Sequence, residues 1–80
     1  MANYPNIKGI IIYLKHSPSS GVIQSSVPVG AHDKYIFFTD RDLANTEWKV
    51  LEQGQTVHIK NVYSKNGGLL GEGVSLQKIS

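Results

Sequence analysis

No stretch of this sequence carries apolar residues at helical spacing over a useful length. Ile, Val, Tyr and Phe come instead in short runs separated by clusters of Gly, Pro, Ser and Asn, the pattern of strands punctuated by turns. The chain therefore reads as all-β. Strands are predicted at roughly Ile7–Lys15, Val22–Ser26, Lys34–Phe38, Gln55–Ser64 and Leu69–Ile79. The turn "HSPSSG" and the loop "VPVGAHD" lie between the first three. Asn66-Gly67 inside "KNGG" is the strongest short hairpin signal a sequence can carry. In "TDRDL", Thr39 with Asp42 three residues on is a weak capping box for one helical turn. Gly71 and Gly73 leave the last strand free to coil or bulge. Five short strands in 80 residues predict a small closed or nearly closed barrel, because closure removes the sheet edges that invite aggregation.

That length allows one domain with one modest core, over residues 1–80, with Met1–Asn6 expected to fray. A hydrophobic content of 40% against 18% charged favours an ordered fold over disorder. Without cysteine, neither disulfides nor thiolate metal sites are available. The longest apolar run, Ile10–Leu14, falls far short of the ~20 residues that cross a bilayer. No small-residue cleavage site follows it closely, so neither a membrane span nor a signal peptide is expected, and the cytoplasm is the expected compartment. A net charge of +2 permits an anionic partner without demanding one.

Strand alternation leaves two faces open. Tyr35 and Phe37 share one side of the third strand, with Ile36 on the other, and a one-residue slip would exchange them. In the first strand, Ile11 and Tyr13 oppose Ile10, Ile12 and Leu14. Either set could be buried, and together they exceed what one core needs. That surplus points to a binding surface or a protein interface. His16, His32 and His58 have no metal-ligand company. No nucleophile elbow is present, and a chain this size has little room for a water-excluding pocket. No enzymatic activity, metal or cofactor is expected.

The stretch "EWKVLEQGQTVHI", Glu47–Ile59, resembles the cold-shock domain, whose members read aromatic-Lys-x-Leu-x-Glu-Gly-Gln-x-Val there. "KYIFFTD" resembles that family's second RNA-binding motif, Val-Phe-Val-His-Phe-Ser, and "GIIIYLK" its opening Gly-x-Val-Lys-Trp-Phe-Asn. The resemblance runs from about Gly9 to Ile79. It departs at the first RNA-binding motif, Lys-Gly-Phe-Gly-Phe-Ile, which stands here as "PSSGVI" with Ser20 and Val22 in place of two stacking phenylalanines. Lys34 replaces a core valine, and Ile12 an exposed lysine.

The resemblance implies a five-stranded OB-fold barrel of cold-shock type that binds single-stranded RNA or DNA with little sequence preference. Such a protein would act as an RNA chaperone or as a regulator of transcription or translation. Bases would stack on outward aromatics, for which Tyr13, Tyr35, Phe37, Phe38 and Trp48 are the candidates, while Lys15 and Lys49 meet phosphates. On this reading Ile36 points inward, Tyr35 and Phe37 outward, and Trp48 stands exposed. The alternative is a barrel whose binding face grips a protein, or a second copy through the apolar first strand. Aliphatic and small residues at Ile12, Leu14, Ser20 and Val22 suit that use.

Overall fold

A computed structural model describes residues 3–26, 29 and 35–77. It contains five strands, β1 (Asn3–His16), β2 (Ser19–Ser25), β3 (Tyr35–Thr39), β4 (Thr56–Lys65) and β5 (Gly68–Leu76), with 3-10 turns at Asp40–Asp42 and Trp48–Val50. The strands close into a barrel in the order β1-β2-β3-β5-β4, with β4 returning to β1. Among the described strands β3 and β5 run parallel, and the other neighbours are antiparallel. This is the strand order of an OB-fold barrel. No helix among the described residues is long and apolar enough to cross a membrane.

The core is aliphatic and continuous. Ile11, Ile23, Ile36, Val57, Ile59, Val62 and Val74 are sealed inside with Phe38, and Leu51 and Val29 join them from the connections. Each such side chain contributes ~1.5–3 kcal/mol of burial against the entropy of ordering the chain.

The Asn66-Gly67 signal holds. Both residues take positive φ, 53° and 79°, in a two-residue turn that pairs Lys65 with Gly68, the backbone that matches strand twist. The helical turn after β3 also forms. There the Asp42 carboxylate accepts from the Thr39 backbone N–H at 2.8 Å and from its hydroxyl at 3.2 Å.

Two boundaries differ from the sequence reading. Asn3–Asn6 is not frayed, because β1 begins at Asn3 and pairs there with Tyr63, Val62 and Asn61 of β4. The turn after β1 is shorter than "HSPSSG", since Ser19 already pairs with His16. The loop Val27–Asp33 (apart from Val29), Lys34 and the predicted strand end at Lys78–Ile79 lie outside the described residues.

One irregularity shapes the outer surface. Ile59 and Val62 are both buried, as are Gly71 and Val74, although strict alternation separates inward residues by even numbers. The faces exchange at a line through Asn6, Lys60 and Gly73, flanked by the pairs Pro5–Asn61, Ile7–Ile59, Asn61–Glu72 and Ile59–Val74. Asn6 and Gly73 adopt left-handed backbone there, with φ of 55° and 68°. A Cβ on Gly73 would come within 2.6 Å of the Lys60 Cβ, so that position requires glycine for space as well as for conformation. Beyond the line, Tyr63 and Leu70 face outward.

Candidate functional site

The outer face is set first by a bulge in β1. Ile11 pairs with Ile23 and Tyr13 with Val22, so Ile12 is the extra residue. Neither alternation considered for β1 is therefore correct along its whole length. Ile11 is buried and Leu14 packs on the core, whereas Ile10, Ile12 and Tyr13 are exposed. The connection before β4 fixes this geometry. Gly54 donates its N–H to the Ile11 carbonyl at 2.7 Å, the Gln53 side-chain amide donates to the Ile12 carbonyl at 3.2 Å, and the Ile11 N–H donates to the Gln55 carbonyl at 3.0 Å.

In β3 the alternation is regular. Ile36 is buried, while Tyr35 and Phe37 are 48% and 50% exposed, close to Tyr13 at 48%. Register then joins these side chains across the barrel. Tyr13 lies opposite Val22, Val22 opposite Phe37, Phe37 opposite Leu70, and Leu70 opposite Tyr63. Partners directly across a ladder point to the same face, so these five form one outward row. A second row places Ile10 and Tyr35 on either side of Gln24. Lys15 and Lys65 are exposed, and each lies two residues along its strand from a row aromatic, on the same face.

A depression of about 220 Å³ is lined by Tyr13, Val22, Phe37 and Leu70 together with Ser20, Gly21, Phe38, Thr39 and Asp42. A separate, more polar concavity of about 830 Å³ lies between the 45–50 connection and the Lys8, His58 and Ser75 row of β1, β4 and β5. Among the described residues no group of His, Asp and Glu is placed to hold a metal ion.

The structure thus gathers Tyr13, Lys15, Tyr35 and Phe37 on one surface. It corrects the expectation for Phe38, which is 1% exposed and belongs to the core. Phe38 follows the inward parity of Ile36, and its ring occupies space that a side chain at Gly21 would take, a Cβ there coming within 2.8 Å of the ring. Trp48 is corrected with it. The indole is half-buried, packs on the core and meets the Phe38 ring at 5.2 Å between centroids, tilted 40°. Its Nε1–H is buried with no hydrogen-bond acceptor among the described residues, and the ring covers part of the core. Lys49 is exposed on the same 3-10 turn, outside the outward rows, and pairs with Glu47 at 3.3 Å. A surface pair of this kind contributes little to stability.

Tyr63 and Leu70 were missed in the sequence reading, although a signal for half of the arrangement was present. A two-residue turn at Asn66-Gly67 fixes Tyr63 opposite Leu70 by counting back from Lys65 and Gly68. The other half, Leu70 beside Phe37, depends on the parallel pairing of β3 with β5, which no local pattern announces. No protein-family model matches the chain, and no curated protein matches it.

Proposed function

We propose that this barrel is a divergent OB-fold module of cold-shock type that binds single-stranded RNA or DNA. Bases stack on Tyr13 and Phe37, with Tyr35 extending the platform. The observation that supports this reading is the outward row across β1, β2 and β3, which holds two half-exposed aromatic rings, Tyr13 and Phe37, on either side of Val22. Every base has a π-face, so such a surface accepts many sequences, each stack contributing ~1–3 kcal/mol. Val22 occupies the middle of the row, an aliphatic between two rings, so binding is weaker than on an unbroken aromatic platform. In this reading Lys15 and Lys65 meet phosphates at the flanks.

The test is a titration of fluorescently labelled oligo-U and oligo-dT followed by anisotropy at low and moderate salt. With one or two phosphate contacts, at a slope of about −0.7 per contact for single strands, a tenfold rise in salt should weaken binding ~5- to 25-fold. No binding at high micromolar concentration in low salt would refute the reading. The exposed aliphatics Ile10 and Ile12 beside the row favour a second reading, a protein interface on the same face. A stable dimer in light scattering that takes up no oligonucleotide would select it.

A further inference from the structure

Asp42 is the feature of this face that base stacking leaves unused. Asp42 lines the depression walled by Tyr13, Val22, Phe37 and Leu70. Thr39 anchors it with two donors, the backbone N–H and the hydroxyl, both on Oδ2. Oδ1 receives no hydrogen bond among the described residues. A negative charge here opposes a phosphate, so what enters the depression is not the backbone of a nucleic acid. At about 220 Å³ the space is below the ~300–1,000 Å³ of pockets that hold whole small ligands, and it suits a single planar ring.

A base stacked on Phe37 or Tyr13 shares the depression with Asp42, which lines it beside both rings. Bases differ there in the property a carboxylate reads, since an ionised carboxylate only accepts hydrogen bonds. Adenine, cytosine and guanine carry an exocyclic amine. Uracil and thymine present two carbonyl oxygens flanking one N–H, and those oxygens repel a carboxylate. Carboxylates accept from cytosine N4 in duplex recognition, and single-stranded bases expose this edge freely. Resting on the reading that this face stacks bases, we infer that the depression holds one base and that Asp42 selects a base with an exocyclic amino group over uracil or thymine. The stacking platform tolerates sequence, and this one position discriminates.

The experiment compares short labelled oligo-A, oligo-C and oligo-U of equal length, by anisotropy, on the wild type and on Asp42→Asn. Oligo-A and oligo-C are expected to bind about tenfold more tightly than oligo-U, the scale of one hydrogen bond to a charged group. In D42N the side-chain oxygen still accepts from the Thr39 N–H, while the new amide N–H donates to a carbonyl, so the preference should collapse or reverse. Self-stacking of oligo-A cancels when the ratio is compared between the two proteins. A residue that only capped the turn would shift all three affinities together and leave the ratio unchanged. Equal affinities in the wild type, a preference for oligo-U, or an unchanged ratio in D42N would each overturn the inference. If none of the three oligomers binds in low salt, the stacking reading itself fails and this inference falls with it.

Discussion

Replacing Tyr13 and Phe37 together with alanine should weaken oligonucleotide binding at least about thirtyfold while leaving the barrel folded. Two stacks at ~1–3 kcal/mol each amount to ~2–6 kcal/mol, and each 1.4 kcal/mol is about a factor of ten. Both rings stand about half exposed on the outer face, so truncation opens no cavity. Each ring still buries about half its surface, so the double variant should lose some stability, but less than truncation of a core ring. The two positions flank β2, each directly opposite Val22, so on the proposed reading a nucleic acid crossing the row meets both. Anisotropy titration measures the loss, and a thermal melt of the double variant shows how much stability is lost. An affinity within threefold of wild type would mean that the row is not the platform.

Phe38→Ala should have the opposite profile, a large loss of stability. Phe38 is 1% exposed and touches the Trp48 ring, and truncating a core phenylalanine costs ~3–5 kcal/mol. Small domains bury a smaller share of their surface and stand near the low end of the ~5–15 kcal/mol range. At ~4–8 °C per kcal/mol for a chain of this size, the melting temperature should fall by more than about 12 °C. Trp48 loses its aromatic partner at the same time, so its emission should shift to the red. Thermal unfolding followed by fluorescence reads both effects. A variant that melts like wild type yet no longer binds oligonucleotide would return Phe38 to the ligand face.

The contrast between neighbours Phe37 and Phe38 shows where sequence reading succeeds. Period-two alternation governs β3 from Tyr35 to Thr39, so fixing Ile36 inward fixes the rest, Phe38 included. Phe38, at the strand's end, reads from sequence as free to turn to either face; the alternation runs on to it, and Gly21 and Trp48 supply the inward seat that it implies. The hairpin was legible because Asn66-Gly67 carries its own backbone preference. β1 was not legible, because its bulge is held by Gln53, Gly54 and Gln55 from a distant connection. The surplus of apolar residues there is explained by Ile10, Ile12 and Tyr13 standing exposed together, an arrangement that alternation alone could not give. The early part of β1 was hidden for a similar reason. Pro5 and Asn6 look like chain-terminal breakers, and only pairing with β4 makes Asn3–Asn6 part of the strand.

The site divides along the same line. Tyr35 and Phe37 follow from alternation together with the resemblance and Tyr13 from the resemblance alone, whereas Leu70 and Tyr63 enter through the parallel β3–β5 contact and the exchange of faces at Gly73. Trp48 is a long-range matter too, because its place over the core depends on a ring that lies ten residues earlier in the chain.

The most direct measurement is an amide nitrogen–proton correlation spectrum of the labelled protein, recorded through a titration with a short oligonucleotide. Shifts should concentrate at Tyr13, Val22, Tyr35, Phe37 and Leu70, the strands that carry the outward row, and should saturate together. Shifts gathered instead around Lys8, His58 and Ser75 on the other concave surface, or none at excess oligonucleotide, would contradict the assignment of the aromatic row as the nucleic-acid platform.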